Sequence, residues 1–184
     1  VSHVAGDILD NSILSKLPRF GKYDVVFSKL VVLHIPFPER IKLWSSLSQA
    51  APGGILYLED YYEARNLSTE EREALAQEVG CPEIPNRENY IQQLTEAGYT
   101  DIEFKDVTDL WSAFVKERAN AFDLNKERHI KVHGEETYGN MMEFYHATAN
   151  LFNGKGLGGA VITARIAPKK EEEEEPTKKQ KTEK

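Results

Sequence analysis

Short apolar runs alternate with stretches of helical periodicity along most of the chain, and this alternation constrains the fold more than any other feature of the sequence. The runs are rich in β-branched and aromatic residues and are bounded by turn residues, as strands are. They are Val1–Ala5, Tyr23–Ser28, Ile55–Glu59 and Gly159–Ile166, with a weaker run at Asp101–Asp106. Strands that alternate with helices predict an α/β fold with a parallel-type sheet covered by helices on both faces.

The segments between these runs have apolar residues at helical spacing. We expect helices at Pro38–Ala50, Thr69–Val79, Arg87–Ala97, Leu110–Asn125 and Thr137–Phe152. Ser68 and Glu71 have the spacing of a capping box, which predicts that the second of these helices begins at Thr69. The last two helices follow one another without a strand between them, so they are inserted before the final strand.

Composition excludes several classes of partner. The 184 residues are 40% hydrophobic, enough for one domain with a sizeable core, and their formal net charge is -7. No basic stripe is present, so we expect no nucleic-acid partner, because phosphate binding needs clustered Lys and Arg. Apolar stretches such as Leu30–Leu33 are too short to cross a bilayer, so no membrane partner is expected. A single cysteine, Cys81, favours a reducing compartment, and we expect the cytoplasm.

The two ends of the chain differ in character. The first residues already have the pattern of a buried strand, so we expect residues 1–168 to be the C-terminal portion of a domain in a longer natural chain. Residues 169–184 hold no apolar residue that would anchor them to a core and are expected to form a disordered charged tail. Lys178–Lys181 weakly matches a nuclear-import patch, which would add the nucleus as a location, although a solubilising tail is the favoured interpretation.

Three polar segments follow predicted strands: Gly6-Asp7, Ser28-Lys29 and Asp60-Tyr61-Tyr62. In open α/β sheets, ligands bind at the carboxyl ends of the strands. These segments are therefore the candidate positions for a binding or catalytic site.

The same segments and their neighbours carry a family resemblance. Its elements are Gly6-Asp7-Ile8 after a strand, Tyr23–Ser28 followed by Leu33-His34, the Pro-Gly-Gly turn within Ala51–Tyr61, and Asp106–Thr108 with Trp111, the later Arg118 and Phe122, and Leu157–Gly159. Spaced in this way, they resemble the later motifs of class I S-adenosylmethionine-dependent methyltransferases. Within that superfamily the chain is most similar to the sarcosine/dimethylglycine and phosphoethanolamine N-methyltransferases, over residues 1–166.

The resemblance implies a Rossmann-like sheet, S-adenosylmethionine as cofactor, and methyl transfer to a small-molecule acceptor, with an amine of the glycine-betaine or phosphoethanolamine type expected. It implies that Asp7 accepts a hydrogen bond from the adenine amine and that Ile8 packs against the ring. Ser28 and Lys29 would lie near the methionine end of the cofactor. A carboxylate beside an apolar residue suits an amino-purine edge, and the alternative for Asp7 is a local helix cap.

Catalysis needs an unprotonated acceptor, so a proton acceptor is expected near it. His34 is the candidate, because apolar neighbours at Leu30–Leu33 would disfavour a charged imidazole, with Tyr61 orienting the substrate. Tyr62, Trp111 and Tyr145 are candidates for substrate binding, since aromatic faces attract methylated ammonium groups. A histidine that only packs and caps its loop is the alternative for His34.

The sequence also departs from the family pattern. The glycine-rich loop and the acid that holds the ribose would precede Val1, and Leu30 stands where relatives often carry an Asp four residues before the active-site His. The stretch expected to hold Arg and Tyr for a phosphate reads Glu78–Pro82. We therefore expect an amino-acid-like amine rather than a phosphobase, and a sulfur or oxygen acceptor stays open.

Other patterns favour plain structural interpretations. His129 and His133 share the spacing of two metal ligands but lack a nearby Cys or an intervening Glu, so no metal site is expected. Gly154–Gly159 matches the dinucleotide pattern, but it follows a helix and precedes a strand, which disfavours a nicotinamide-dependent oxidoreductase. A catalytically inactive methyltransferase-like module that binds a partner protein remains the main alternative to an enzyme.

Overall fold

The computed structural model describes residues 3–168, which form a four-stranded mixed sheet packed against helices. The strands are β1 (Val25–Lys29), β2 (Ile55–Glu63), β3 (Tyr99–Asp106) and β4 (Leu157–Ile166), in the spatial order β1-β2-β4-β3. The Rossmann-like class of fold expected from the sequence is confirmed, with helices inserted before the last strand. The charged tail and the first two residues lie outside the described residues.

Seven α-helices precede or connect the strands in the described part of the chain. They are α1 (Asn11–Leu14), α2 (Phe37–Ala50), α3 (Thr69–Gln77), α4 (Arg87–Glu96), α5 (Thr108–Leu124), α6 (Lys126–His133) and α7 (Glu135–Asn153). The capping box that the sequence predicts at the start of α3 is present, with Ser68 and Glu71 satisfying each other's backbone N–H groups.

The expectation of a parallel-type sheet is wrong for β4. β1 and β2 are parallel, but β4 runs antiparallel to both β2 and β3. The reason is that β3 ends at the same edge of the sheet where β4 begins, and α5, α6 and α7 join the two ends. A chain that leaves and re-enters a sheet at one edge must reverse direction.

The expected first strand is not formed by the residues described there, since His3–Ala5 are exposed and irregular. A strand needs a neighbour that pairs with its backbone N–H and C=O groups, and no strand ladder of residues 3–168 includes this segment.

The expectation that both sheet faces are covered is also wrong at β1. Val25 is 54% exposed and Phe27 is 63% exposed, because they lie on a face that no helix of the described residues covers there.

β2 is longer than the sequence predicts. It continues through Glu63, because β4 pairs with it along its whole length. Asp60, Tyr61 and Tyr62 therefore lie within the last four residues of β2 rather than after the strand. Successive residues of a strand point to opposite faces, so Tyr61 and Tyr62 are directed to different sides of the sheet.

The core has two parts, one on each side of β2. On one face, α2 and α4 pack against the sheet through Trp44, Tyr90 and Leu94, which are fully buried with Leu56 and Leu58 of β2. On the other side, α3 and α7 form a second cluster that includes Leu75, Phe152 and Leu157. The second cluster covers only the carboxyl end of that face of the sheet. At this end, strand residues that helices cover therefore lie next to strand residues that no described helix covers.

Asp60 joins the parts of the fold at this end of β2. Its Oδ2 accepts hydrogen bonds from the Leu33 backbone N–H at 3.0 Å and the Tyr90 hydroxyl at 3.1 Å, and its Oδ1 accepts one from the Tyr61 N–H at 3.0 Å. The side chain is fully buried. Burial raises the pKa of Asp60 to about 7, against the lowering effect of these donors and of the nearby Arg40 guanidinium.

A raised carboxyl pKa in the folded state gives a defined pH dependence. Between the unfolded pKa of about 4 and the folded pKa of Asp60 the native state binds more protons, so this carboxyl group's contribution to stability is lost as pH rises through that window. The Asp60→Asn variant has no charge at this position at any pH, so its free energy of unfolding lacks this pH dependence. We expect the difference in free energy of unfolding between the parent and the variant, measured by urea denaturation, to favour the parent more at pH 5.5 than at pH 8. An equal difference at both pH values would contradict the assigned pKa.

Candidate functional site

A cavity of about 300 Å³ lies where the carboxyl ends of β1 and β2 meet the first two turns of α5. Its walls combine residues from all three elements: Lys29, Leu30, Tyr61, Leu110, Trp111, Phe114 and Val115. Three of the residues singled out in the sequence, Lys29, Tyr61 and Trp111, are therefore brought together. The location is the edge where ligands bind in open α/β sheets.

The aromatic pair in this cavity depends on a close approach between β4 and α5. Tyr61 and Trp111 meet edge to face, with ring centroids 5.6 Å apart. Gly159 of β4 is paired with Tyr61 in the sheet, and a Cβ at Gly159 would lie 2.6 Å from the Trp111 ring. The glycine that precedes the last apolar run thus provides the space that the Trp111 side chain occupies.

Tyr61 is suited to orient a ligand rather than to take a proton from it. Burial, with a further contribution from the Asp60 carboxylate, raises the pKa of Tyr61 to about 12. The phenol therefore stays protonated at neutral pH. It also packs edge to face on Phe152, with ring centroids 5.3 Å apart, which restricts the orientation of the ring.

Lys29 and Leu30 form the side of the cavity at β1. The Lys29 Nζ lies 2.6 Å from Glu59 Oε2, and this ammonium group lowers the pKa of Glu59. Leu30 has a backbone φ of 52°, in the left-handed region that Gly, Asn and Asp adopt more readily than Leu. This sharp turn ends β1 and starts the loop that leads to His34.

Tyr62 lies on the other side of α5 from Tyr61 and lines a separate, polar cavity of about 580 Å³. Its hydroxyl donates a hydrogen bond to Asp106 Oδ2 at 2.9 Å, and Asp106 Oδ1 accepts the Thr108 N–H at 2.8 Å. Burial raises the pKa of the Tyr62 phenol. Tyr62 therefore fixes the start of α5 and does not share the cavity of Tyr61.

Tyr145 is also placed away from Tyr61. It lies in an aromatic cluster between α5 and α7, 4.9 Å from the Phe122 ring centroid, and accepts a hydrogen bond from Arg118 Nε at 3.0 Å. Its cavity, of about 290 Å³, is lined by residues of α5, α6 and α7, including His129 and His133. The structure therefore separates the three predicted substrate-binding residues into three cavities.

His34 lies in a short 3-10 turn, Val32–His34, after β1. The expectation that apolar residues surround it is wrong: the turn directs Val32 and Leu33 into the core, and the His34 side chain is exposed. Its Nδ1 lies 3.1 Å from the Gly80 carbonyl oxygen, so a backbone carbonyl orients the ring. His34 does not line the Tyr61 cavity.

The residues that the resemblance assigns to the cofactor lie on the segment before α1 and at the end of β1. Asp7 Oδ1 accepts the Leu9 N–H at 2.9 Å, and in residues 3–168 this is the only donor to that carboxylate, which leaves Oδ2 for an adenine amine. Ile8 is 37% exposed beside it, as a side chain that packs on a ring must be. Ser28 and Lys29 end β1 at the same edge of the sheet. The helix cap proposed as the alternative for Asp7 belongs to Asp10, which caps α1.

Four lining residues of the cavity were not predicted from the sequence: Leu30, Leu110, Phe114 and Val115. Phe114 is 57% exposed and forms a wall of the cavity together with Leu110. The signal was the spacing of four between these two apolar residues, which puts both on one face of α5 next to Trp111. Within residues 3–168 no group of three potential metal ligands converges, and no helix has the length and apolarity needed to span a membrane.

Sequence comparison relates the chain to phosphoethanolamine N-methyltransferases. It is 27% identical over 126 residues to the enzyme of Triticum aestivum, covering 68% of this chain and 24% of the wheat protein. It is 25% identical over 131 residues to the enzyme of Plasmodium falciparum, covering 70% of this chain and 48% of that protein. The chain thus spans a quarter to a half of the length of these relatives. No protein-family model matches it.

Comparison of structures points to the same class. Phosphoethanolamine N-methyltransferase 2 of Haemonchus contortus, solved with phosphomonomethylethanolamine and S-adenosylhomocysteine, superposes with a TM-score of 0.69 and 20% identity, over 82% of this chain and 34% of that one. A Galdieria sulphuraria protein assigned as a sarcosine dimethylglycine methyltransferase gives a TM-score of 0.74 and 13% identity, over 89% of this chain and 58% of that one. At these identities the likeness concerns the fold.

The resemblance inferred from the sequence is confirmed by both comparisons. The chain is related in sequence to the phosphoethanolamine N-methyltransferases, and its sheet and inserted helices have the Rossmann-like fold of class I S-adenosylmethionine-dependent methyltransferases.

Proposed function

We propose that this chain takes part in S-adenosylmethionine-dependent methyl transfer to a small-molecule acceptor, an amine in the first instance. The observation that carries the proposal is the convergence of Lys29, Tyr61 and Trp111 on one cavity at the carboxyl edge of the sheet. The resemblance assigned these three residues to the cofactor, the reaction and the substrate separately. Their meeting in one cavity supports a site where cofactor and acceptor come together.

Different residues of the chain would bind the cofactor and align the acceptor. The cofactor supplies an electrophilic methyl group on a sulfonium, and Asp7, Ile8, Ser28 and Lys29 are the residues here that would hold it. The displacement is in line, so the alignment of the acceptor supplies much of the rate. The protonated Tyr61 hydroxyl and the Trp111 ring would provide that alignment, and their rigid packing against Phe152 and Gly159 supports this role.

His34 is the proposed proton acceptor. A carbonyl oxygen accepts hydrogen bonds and cannot donate them, so the contact with Gly80 favours the tautomer with the proton on Nδ1. The Nε2 lone pair is then available to take a proton that leaves an ammonium acceptor. Because His34 does not line the Tyr61 cavity, that proton would reach it through an intervening water. The exposure of the ring allows this exchange with an incoming ligand.

The alternative of a catalytically inactive module finds no support in the comparisons, since the relatives in sequence are named as methyltransferases. Calorimetric titration of the full-length natural protein with S-adenosylmethionine tests the choice between the two functions. We expect saturable binding, followed by release of S-adenosylhomocysteine when an amine acceptor is added. The absence of any heat of binding would favour the inactive module.

His34→Ala tests the proposed base. We expect turnover of the full-length protein to fall about 10²-fold, the usual scale for loss of a general base, while affinity for S-adenosylmethionine stays the same. His146→Ala is the matched control, because His146 is an exposed histidine on α7 that pairs with Asp123 far from β1 in sequence. If His34→Ala retains turnover within a few-fold of the control, the contact with Gly80 is structural and another group takes the proton.

A further inference from the structure

The charge of the cavity at the carboxyl edge is already balanced within the protein. Of the seven side chains that line it, only Lys29 is charged, and its Nζ lies 2.6 Å from Glu59 Oε2. The lowered pKa of Glu59 keeps this partner ionised. A phosphate dianion needs several charged donors, usually including Arg. The described lining residues supply no such set.

The walls of the cavity are apolar where a ligand would lie. Leu110 is 69% exposed and Phe114 is 57% exposed, so both have apolar surface that a ligand in the cavity would remove from water. Leu30 adds a third apolar side chain from a left-handed backbone position, where an Asp or Asn would be accommodated with less strain. The volume of about 300 Å³ is that of a small-ligand site.

The aromatic pair provides the one feature of the cavity that favours a positive charge. Tyr61 and Trp111 meet at an interplanar angle of 78°, so their faces are set at nearly a right angle to each other. Aromatic rings that line a cavity attract ammonium groups, and the attraction grows when water is excluded. An amine attached to an apolar group would place its ammonium charge on the aromatic rings and its apolar group against the cavity walls.

The neighbouring polar cavity does not supply the missing anion site. It holds Arg65 and Lys155, but the carboxylates of Asp106 and Asp109 line it as well. Arg65 is bound by both oxygens of Glu71, at 2.8 and 2.7 Å. A phosphate placed there would meet two carboxylates and an arginine that is already paired.

We propose that the acceptor in the Tyr61–Trp111 cavity is an amine with an apolar body, aryl or alkyl, and without a phosphate or carboxylate group. This inference rests on the proposed methyl transfer at the same site and names its substrate class. It distinguishes the acceptor expected here from phosphoethanolamine, because the lining residues Leu30, Leu110 and Phe114 are apolar.

A matched pair of ligands tests the proposal. Phenethylamine and phosphoethanolamine both carry a primary amine on a two-carbon chain and differ in having a phenyl or a phosphate group. Their dissociation constants are measured calorimetrically on the full-length protein saturated with S-adenosylhomocysteine. We expect phenethylamine to bind at least about tenfold more tightly, because burial of one aromatic ring corresponds to that ratio or more. Equal or tighter binding of phosphoethanolamine would overturn the proposal.

Two variants on α5 locate the binding. Phe114→Ser removes a cavity wall and is expected to weaken phenethylamine binding about tenfold. Leu124→Ser is the control, because Leu124 is 86% exposed on the same helix and does not line the cavity. The affinity of this variant for phenethylamine should equal that of the parent protein. Both side chains are largely exposed, so thermal melting should show both variants folded. Equal affinities of the two variants for phenethylamine would overturn the proposal.

A methyl-transfer assay on the same ligands separates this proposal from the one it rests on. If phenethylamine binds in the Phe114-dependent manner and no methyl group is transferred, the apolar site stands and the proposed activity fails. If phosphoethanolamine is the methylated ligand, the activity stands and the apolar acceptor is overturned.

Discussion

Asp60 accepts hydrogen bonds from the loop after β1, from the backbone of its own strand and from Tyr90 of α4, and the carboxyl edge of the sheet is assembled around it. The bond to the Leu33 N–H holds the turn that carries His34. The Asp60 side chain points into the core from β2, so the next residue, Tyr61, must point to the opposite face and into the cavity. A buried polar group of this kind is costly unless every partner is in place, which makes the geometry of the edge specific.

A second set of contacts completes the edge from the side of the inserted helices. Gly158 and Gly159, the second and third residues of β4, have no side chains, and the Tyr62 and Trp111 rings fill the space against them. Asp106 ends β3, accepts the Thr108 N–H and thereby fixes the start of α5. The helices that follow β3 thus serve to bring Leu110, Trp111 and Phe114 over the ends of β1 and β2.

Local features of the fold were predictable from the sequence. The capping box at Ser68 and Glu71 is a contact between near neighbours, and the bounds of α2 and α4 follow from apolar spacing and from flanking turn residues. Long-range features were not predictable. The run Val25-Val26-Phe27 has the composition of a doubly buried strand, yet composition cannot show whether a helix covers each face, and Val25 and Phe27 are exposed.

The candidate site shows the same difference between local features, which were predictable, and long-range features, which were not. Tyr61 was expected just after a strand, and the structure places it within the last residues of β2, where it lines the cavity. The direction of His34 depends on a 3-10 turn that sends Leu33 inward, and the separation of Tyr145 from Trp111 depends on how α5 and α7 cross. Neither is determined by spacing in the sequence.

The central claim is that the Tyr61–Trp111 cavity and the Asp7–Ile8 segment belong to one site, with the cofactor between them. A crystal structure of the full-length natural protein with S-adenosylhomocysteine measures this directly. We expect the adenine amine at the Asp7 carboxylate and the sulfur directed toward the opening between Lys29, Tyr61 and Trp111. A cofactor bound with its sulfur toward the polar cavity of Tyr62, or toward the cluster around Tyr145, would contradict it.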